Sequence, residues 1–434
     1  MDARPIEDQL AEAGFGPLPR MAWLQLDLDA LRSNLALVRG LVGPDVAVEP
    51  VVKADAYGHG MVPIARALNS AGADGLCVAA LDEALALRQG GIRGRISVLY
   101  PIPFELAHEA AAADVDVAAG GGSPLERLLE RLAVATGRAR TAGRSLGLQL
   151  EIETGLGRGG VRPDEAVDAA LAIQAAPGAR LAGVWTHLQA SDDPERTAIQ
   201  IGRFDAVIAA LGDAGVEVPR RHLAASGGIL VPSIPVYDAV RPGLMTYGLA
   251  PDEFAPGSLP AAENLRPVMS LHARPVRVAD LPAGEGISYG PTFVTDRASR
   301  IATLPVGYGD GWARSLSNRA EALVRGRRVP IVGNVAMDAI LADVTGVPGP
   351  PVGVDDEFVL LGRQGDEQIT VADLARTRTT NSWEVVTTMS RRLPRVYHAA
   401  AGPVGVRTLT GAEDRWLESS SGTATSAISK STQS

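Results

Sequence analysis

The middle of the chain alternates between short apolar runs and amphipathic segments. The segments, such as Leu81 to Gln89 and Glu195 to Leu211, carry apolar residues at i, i+3 and i+4. This alternation is typical of parallel strands joined by crossover helices. Eight strands are predicted, at Val48 to Lys53, Asp74 to Ala80, Arg95 to Tyr100, Asp114 to Ala119, Leu146 to Glu153, Arg180 to His187, Arg221 to Ala225 and Tyr237 to Arg241. Eight strand–helix units favour a closed (β/α)8 barrel of the TIM type over an open sheet.

After about Asn264 the pattern changes to short apolar runs separated by Gly, Pro and Asp, which predicts a mainly β domain. The predicted strand segments are Ser270 to Val278, Arg300 to Pro305, Glu321 to Val324, Val329 to Val332 and Phe358 to Leu361. The sequence therefore predicts an N-terminal barrel at 21–262, a C-terminal mainly β domain at 263–410 and a disordered Ser/Thr-rich tail at 411–434.

Composition narrows the class of ligand. The 434-residue chain has a net charge of −9 and no Lys/Arg run long enough for nucleic acid. It has no uncharged apolar stretch of about 18 residues, which a membrane span requires, and its first residues lack the apolar core of a secretory signal. Cys77 is the only cysteine, which fits a reducing compartment and excludes a cysteine-based metal site. We expect a soluble cytoplasmic protein with a small-molecule ligand and no metal.

Lysine usage is unusual, since almost every basic residue is Arg and the only lysines are Lys53 and Lys430. An amine can lose its proton and attack a carbonyl, whereas guanidinium stays protonated. Lys53, inside an apolar stretch, is therefore a candidate for Schiff-base formation. Chance retention of one lysine explains the same observation equally well.

The predicted strand ends add further polar groups. In such barrels the active site lies at the C-terminal ends of the strands. Polar residues at these ends include Lys53, Tyr57, Arg158, His187, Ser226 and Arg241, and several of these loops also carry glycines. Each residue alone has an ordinary structural explanation. Together they supply an amine, donors and close backbone N–H groups, as a phosphate-bearing aldehyde cofactor requires.

The motifs at these positions resemble those of the alanine racemase family. The similar segments are Val51-Val-Lys-Ala-Asp-Ala-Tyr-Gly-His-Gly60, Thr154-Gly-Leu-Gly-Arg158, Thr186-His187, Val240-Arg-Pro-Gly243, Ser288-Tyr-Gly290, Gly307-Tyr-Gly-Asp-Gly311 and Met337-Asp338. The resemblance runs from Trp23 to about Tyr397. It implies the fold already predicted and the cofactor pyridoxal 5'-phosphate (PLP).

The resemblance also implies the reaction, the interconversion of L-alanine and D-alanine, which supplies D-alanine for peptidoglycan. Lys53 would hold PLP and act as the base on one face of the substrate Cα, and Tyr289 would be the base on the other face. Two acid–base groups on opposite faces are the minimum that racemisation needs. In the family the tyrosine comes from the partner subunit, which implies a homodimer with shared active sites. Partial desolvation would have to lower the pKa of Lys53.

Binding roles follow from the same resemblance. The cofactor-binding residues would be Lys53, Tyr57, His187, Ser226, Arg241, Gly243, Leu244 and Trp383, and the substrate-binding residues would be Arg158, Tyr308, Met337 and Asp338. Tyr57, Ser226 and the backbone at 243–244 would hold the phosphate, and Arg241 would face the pyridine nitrogen. Because guanidinium cannot accept a proton, that nitrogen should stay unprotonated, which disfavours transamination.

Four positions depart from the family pattern. Glu151 stands where many members carry a carboxylated lysine that braces the arginine equivalent to Arg158, and a natural carboxylate could brace it without CO2. Asp55 replaces the common Asn, and Ala225 replaces the usual Asn before the phosphate-binding serine. Trp383 stands where a phosphate-contacting tyrosine is usual. These changes bear on cofactor affinity and substrate range more than on reaction type.

Three alternatives remain. A racemase of serine, or one with a broader amino-acid range, would share the same motifs, because a methylene discriminates weakly between substrates. A PLP-dependent decarboxylase would use a glutamate at the pyridine nitrogen and a cysteine near the site, against which Arg241 and the position of Cys77 argue. A non-catalytic PLP-binding protein would not need the β domain that carries Tyr289.

Overall fold

The computed structural model describes residues 4–134, 144–255 and 257–414, so most of the predicted tail lies outside the described residues. The chain divides into two compact units. The barrel unit comprises Leu28–Met269 and Thr370–Met389. The β unit comprises the residues up to Asp27, Ser270–Ile369 and the residues from Ser390 onward. Both units are therefore discontinuous in sequence, whereas the boundaries predicted from the sequence are continuous.

The barrel unit contains an eight-stranded parallel sheet. From the second strand to the eighth, each strand pairs with the next in sequence, and the first pairs with the last through Ala47↔Ala239 and Val48↔Val240. An isolated parallel bridge, Val51↔Cys77, joins the segment after the first strand to the second and nearly closes the ring. The barrel strands are Ala47–Val48, Gly75–Val78, Arg95–Val98, Asp116–Ala119, Leu146–Glu151, Ala179–Trp185, Arg221–Ala225 and Ala239–Arg241. The predicted barrel followed by a mainly β domain is confirmed.

Helices separate the strands because the intervening segments bury one face. Helix Pro194–Asp213 begins with Pro194 after the N-cap Asp193, whose carboxylate accepts the Arg196 N–H at 3.0 Å. Its buried residues include Phe204, Val207 and Leu211 at helical spacing. Within the described residues, the helices of the barrel unit are Leu28–Val42, Lys53–Tyr57, Met61–Ser70, Leu81–Gln89, Ala107–Ala112, Ser123–Ala133, Ala166–Ala175, Pro194–Asp213, Ser226–Leu230, Val371–Arg378 and Ser382–Thr387, with 3-10 turns at Phe104–Leu106, Pro163–Glu165, Leu244–Tyr247 and Pro260–Asn264.

The interior of the barrel is partly polar. Glu49, Asp116, Gln149, His222 and Arg241 are all buried among apolar strand residues. Asp116 accepts from Arg95 and Arg180 at 2.6 Å each. Burial raises the pKa of Glu49, and the cations Arg220 and Arg95 oppose that shift. A buried charge needs such partners, since desolvation alone would neutralise it.

The β unit is built on a large sheet of nine strands, with smaller sheets of three and two strands. In the large sheet Ala22–Asp27 pairs in parallel with Arg395–Ala399, which explains why the first residues of the chain belong to this unit. The other strands are Met269–Ala273, Arg277–Leu281, Gly286–Ile287, Phe293–Val294, Ser299–Leu304, Glu321–Val324, Arg327–Pro330, Ile340–Asp343, Phe358–Gln364, Glu367–Ile369, Gly402–Thr408 and Gly411–Asp414, with helix Ile6–Glu12 and 3-10 turns at Tyr308–Asp310 and Arg314–Leu316.

Two helices lie within the region where the sequence predicts a mainly β domain, Val371–Arg378 and Ser382–Thr387, and both belong to the barrel unit. Their N-caps, Thr370 and Asn381, accept the backbone N–H groups of Asp373 and Glu384. None of the described helices combines the length and the hydropathy that crossing a membrane demands.

Candidate active site

A cavity of about 460 Å³ lies in the barrel unit, lined by residues that follow the ends of the barrel strands. Nine of the residues predicted from the sequence line it: Lys53, Tyr57, Arg158, His187, Ser226, Arg241, Gly243, Leu244 and Trp383. The barrel topology thus brings together side chains that are up to 330 positions apart in the chain (383 − 53). Tyr289, Tyr308, Met337 and Asp338 belong to the β unit and are not among the lining residues.

Lys53 begins an unusual turn. The next four residues, Ala54 to Tyr57, all have φ between 52° and 56°, in the left-handed region. Such a conformation costs about 1–2 kcal/mol per residue outside glycine. Hydrogen bonds hold the turn: Ala54 N donates to Glu83 Oε1 at 2.7 Å, and Met61 N donates to Asp55 Oδ1 at 2.8 Å. The turn places both Lys53 and Tyr57 on the cavity, and Asp55 supplies an acceptor that an Asn could supply equally.

Burial and charge tune two groups of the cavity. Desolvation lowers the pKa of Lys53, and the nearby Arg158 cation lowers it further. The pKa of His187 falls to about 3, first because of burial and then because of Arg241, Arg158 and Lys53. The predicted lowering of the Lys53 pKa therefore has the physical cause that the sequence analysis named. His187 is neutral near pH 7.

Two hydroxyl groups, those of Ser226 and Tyr57, lie at one end of the cavity beside the backbone of Gly243. Ser226 Oγ accepts the N–H of Gly243 at 2.9 Å and that of Met245 at 3.3 Å, so its own hydrogen is left to donate. Burial raises the pKa of Tyr57, which keeps the phenol protonated. A Cβ at Gly243 would lie 2.8 Å from Tyr57 Oη, so only glycine lets the backbone and the phenol approach this closely.

Trp383 reaches the same cavity from helix Ser382–Thr387. The start of this helix is anchored by Asp252, which accepts the Ser382 N–H at 2.5 Å and the Ser382 hydroxyl at 2.6 Å. The indole is half-buried, and it can donate one hydrogen bond but accept none. Ala225 also lines the cavity and offers no polar group.

Arg241 is buried, with 2% of its surface exposed. It donates to His222 Nδ1 and, through Nη2, to the carbonyls of Thr186 at 2.9 Å and Leu223 at 3.3 Å. Because guanidinium can only donate, His222 Nδ1 accepts, and His222 Nε2 therefore donates to Gln149 Oε1 at 3.1 Å. Burial lowers the pKa of Arg241 to about 10, so it remains a cation at neutral pH.

Arg158 differs in its surroundings. Its side chain is 38% exposed, its Nη2 lies 3.6 Å from Glu151 Oε1, and its guanidinium lies 5.5 Å from the centre of the Tyr100 ring. Burial raises the pKa of Glu151, and the Arg158 cation opposes that shift. The carboxylate of Glu153 accepts the N–H groups of Gly155 at 2.5 Å, Gly157 at 2.8 Å and Arg158 at 3.2 Å, which fixes the loop that carries Arg158.

The β unit has its own group of candidate residues. Tyr308 N donates to Ala336 O at 3.0 Å, so Tyr308 lies beside the segment that carries Met337 and Asp338. Asn334 Nδ2 donates to the carbonyl of Tyr289 at 2.8 Å. Asp338 accepts from Arg392 at 2.5 Å. The side chains of Tyr289, Met337 and Tyr308 are 80%, 52% and 45% exposed.

Several residues of the site are not predicted from the sequence. Tyr100 and Trp185 line the cavity, and His222 with Gln149 supports Arg241. In the sequence, His222 and Gln149 are polar residues inside apolar strands. This pattern predicts a buried polar side chain with a hydrogen-bond partner, but it does not identify the partner.

Comparison with known proteins bears on the same two units. The alanine racemase N-terminal domain matches residues 26–251, and the alanine racemase C-terminal domain matches residues 268–397. The chain belongs to the alanine racemase family. The alanine racemase of Symbiobacterium thermophilum is 41% identical over 381 residues, which are 87% of this chain and 97% of that protein. The alanine racemase of Halothermothrix orenii is 37% identical over 390 residues, covering 89% of this chain and 99% of that protein.

Solved structures of this family share the fold. The alanine racemase of Bacillus anthracis with bound L-Ala-P superposes with a TM-score of 0.81 at 33% identity, covering 91% of this chain and 99% of that one. A histidine racemase from Leuconostoc mesenteroides subsp. sake superposes with a TM-score of 0.78 at 29% identity, covering 88% and 100%. The same fold therefore accompanies racemases named for different amino acids.

Proposed function

We propose that this protein interconverts L-alanine and D-alanine with PLP as cofactor. The observation that carries the proposal is Lys53, an amine of lowered pKa that shares one cavity with Arg158 and Arg241. The curated relatives are named alanine racemases, which supports alanine as the substrate.

The residues of the cavity fit PLP. Ser226 and Tyr57 offer hydroxyl donors at one end, next to a glycine backbone that a Cβ would obstruct. Arg241 uses three of its N–H groups on His222, Thr186 and Leu223, and the two that remain suit the pyridine nitrogen of a bound ring. Lys53 supplies the amine that would hold the cofactor's carbonyl carbon. When bound, PLP supplies a conjugated ring that withdraws electrons from the substrate Cα.

Proton transfer at the substrate Cα falls to residues of the chain. Lys53 accepts or donates the Cα proton on one face, for which an amine of lowered pKa is suited. The phenol of Tyr289 does the same on the opposite face. Arg158 binds the substrate carboxylate or the phenolic oxygen of the cofactor, and the family resemblance assigns Tyr308, the backbone at Met337 and Asp338 to the same binding role.

The second base comes, in this proposal, from a partner subunit of a homodimer. The exposure of Tyr289, at 80%, supports this because a base must be shielded from water to act selectively. A heterodimer of Lys53→Ala and Tyr289→Phe subunits would contain one site with both native residues. Mixing the two inactive variants should therefore restore about one quarter of the native sites. Activity that stays at background after subunit exchange would contradict shared sites.

The location and the biological role complete the proposal. A single, buried cysteine supports a reducing, cytoplasmic setting, and the product would supply D-alanine for peptidoglycan.

A second candidate, a racemase of serine or of a broader range of amino acids, is favoured by one observation. The structural match to a histidine racemase shows that this fold accommodates a larger side chain in another protein. Two further alternatives, a PLP-dependent decarboxylase and a non-catalytic PLP-binding protein, have no comparable support.

The test is Cα exchange. Purified protein with PLP is incubated in D2O with L-alanine, L-serine, L-histidine and other amino acids, and deuterium at Cα and optical rotation are followed. Fast exchange with racemisation of alanine, abolished in Lys53→Ala and strongly reduced in Tyr289→Phe, is expected. A PLP absorbance band without exchange on any amino acid would leave a cofactor-binding protein, and preference for another amino acid would move the function to the second candidate.

A further inference from the structure

Helix Pro194–Asp213 presents three polar side chains, at three-residue spacing, to the loops that carry Arg158 and His187. Thr197 Oγ1 donates to Ala190 O at 2.9 Å, and Arg203 Nη1 donates to Thr154 O at 2.8 Å. Gln200 lies between them and is 1% exposed. Residues spaced in this way share one helix face, so the helix supports both loops at once.

The carboxamide of Gln200 bridges the two loops. Its Nε2 donates to Thr154 Oγ1 and to His187 O, at 3.1 Å each, and its Oε1 accepts the Gln189 N–H at 2.9 Å. This arrangement fixes the orientation of the amide, because the carbonyl of His187 can only accept and the N–H of Gln189 can only donate. A glutamate at position 200 would lose both donors.

The hydrogen bonds beyond Gln200 run from Thr154 to Thr186 and on to Ile152, and the donor of each can be assigned. Thr186 Oγ1 donates its hydrogen to Ile152 O at 2.8 Å. Thr154 Oγ1, 2.7 Å from Thr186 Oγ1, must therefore be the donor of that pair, which leaves its lone pairs for Gln200. This chain of hydrogen bonds joins the ends of the fifth and sixth barrel strands, and the three side chains that form it, Thr154, Thr186 and Gln200, are each 1% exposed.

We propose that Gln200 is a positioning residue of the active site, which acts through these two loops to hold Arg158 and His187 in place. It is not among the residues that line the cavity. The role in catalysis rests on the proposed racemase function. The placement of Arg158 relative to Lys53 does not, because both line the cavity whatever reaction takes place there.

The pKa of Lys53 reports on the placement of Arg158, and the small number of lysines allows it to be measured separately. Lys53 and Lys430 are the only lysines, so a Lys430→Arg background leaves Lys53 as the single ε-amine. Arg158 is one cause of the lowered Lys53 pKa, after burial. Displacement of Arg158 should therefore raise the pH at which Lys53 reacts with trinitrobenzenesulfonate in full-length protein freed of PLP. Modification is quantified on the Lys53 peptide by mass spectrometry, and folding is verified by circular dichroism.

Gln200→Glu is compared with Gln174→Glu, the same chemical change at an exposed position of helix Ala166–Ala175. In Gln200→Glu we expect the apparent pKa of Lys53 to rise by about half a unit or more, through the displacement of Arg158 and through the charge of the new carboxylate, and the uncharged Thr154→Val variant described below separates these two causes. After PLP is restored, kcat for alanine should fall about tenfold and KM should rise. An unchanged Lys53 pKa together with kinetic constants within about twofold of the Gln174→Glu control would overturn the proposal.

A second pair of variants covers the case in which Gln200→Glu fails to fold. Thr154→Ser keeps the hydroxyl that accepts from Gln200, and Thr154→Val removes it. The serine variant should retain the native Lys53 pKa and the valine variant should raise it; the same value in both variants would contradict the proposal. If the native protein exchanges no amino acid at Cα but these pKa shifts occur, the racemase function fails while the positioning of Arg158 by Gln200 stands.

Discussion

Two arginines face the same cavity under different constraints. Arg241 is buried and its partners are neutral: a histidine nitrogen and two backbone carbonyls. Arg158 is 38% exposed and its partner is the carboxylate of Glu151, 3.6 Å away. A buried guanidinium whose hydrogen-bond acceptors are neutral keeps its full positive charge and a fixed position. A guanidinium that is paired with a carboxylate near the surface has part of its charge neutralised and can change its side-chain conformation. Arg241 is therefore suited to a permanent contact, as with the proposed cofactor. Arg158 is suited to a contact that is made and broken in each turnover of the proposed reaction.

Removal of Arg158 should have the largest effect on catalysis and little effect on stability. In Arg158→Met we expect kcat/KM for alanine to fall by a factor on the order of 10³, because the proposed contact of Arg158 with the substrate carboxylate or the cofactor is lost. The free energy of unfolding should change by less than about 1 kcal/mol, since the ion pair is partly exposed. Steady-state kinetics and urea unfolding measure the two quantities. A large loss of stability would break the distinction between the two arginines.

Removal of Arg241 should lower the stability of the protein without PLP more than removal of Arg158 does. Arg241→Met leaves His222 Nδ1 and the carbonyls of Thr186 and Leu223 without a donor in a buried site. Relief from burying the charge offsets part of that cost, so we expect a loss of about 3 kcal/mol in the free energy of unfolding. Urea unfolding followed by circular dichroism, with Arg158→Met as the matched control, checks this. A loss no greater than that of the control would contradict it.

A glutamate at position 241 tests the electronic role of the same residue. Arg241→Glu would place a group that can share a proton opposite the pyridine nitrogen of PLP, which should strengthen the ring as an electron sink. We expect transamination of alanine to become measurable above the native level, by formation of pyruvate. No rise in pyruvate would count against the proposed contact.

His187, the neutral histidine that lines the same cavity as the two arginines, should make stability depend on pH. The pKa of His187 is about 3 in the folded protein and close to 6.5 when unfolded. Between these values the unfolded state binds the extra proton, so stability falls as the pH falls. From pH 7 to pH 5 this contributes at most about 2 kcal/mol, less any screening by solvent. His187→Gln should lose correspondingly less stability than the native protein over this interval in urea unfolding, and an equal loss in both would refute the assignment.

The smallest expected effect follows from a change at Glu151, whose carboxylate orients Arg158 in this proposal. Glu151→Gln keeps the shape but removes the charge, and we expect kcat/KM to fall about tenfold because Arg158 is less firmly oriented. Since the native brace is a glutamate, removal of CO2 and bicarbonate should leave the activity of the native protein unchanged. Activity that requires bicarbonate would show that Glu151 is not the brace.

The sequence by itself determined the barrel, the mainly β domain and nine of the residues that line the cavity. Periodicity of apolar residues predicts strands and helices because burial is a local pattern, and strand ends converge in any parallel barrel. Lys53, Arg158, His187 and Arg241 could therefore be assigned to one site before any coordinates were known. The helices at 371–378 and 382–387 were missed because their apolar faces are short and lie among β segments.

Only the tertiary structure decided how those residues are held. The left-handed turn after Lys53, the His222–Gln149 support of Arg241 and the Gln200 bridge depend on contacts between residues far apart in sequence. The signs and causes of the pKa shifts have the same origin, because desolvation and neighbouring charge are properties of a packed site. Residue type defines which chemistry is available, and packing determines the charge state and geometry in which it is used.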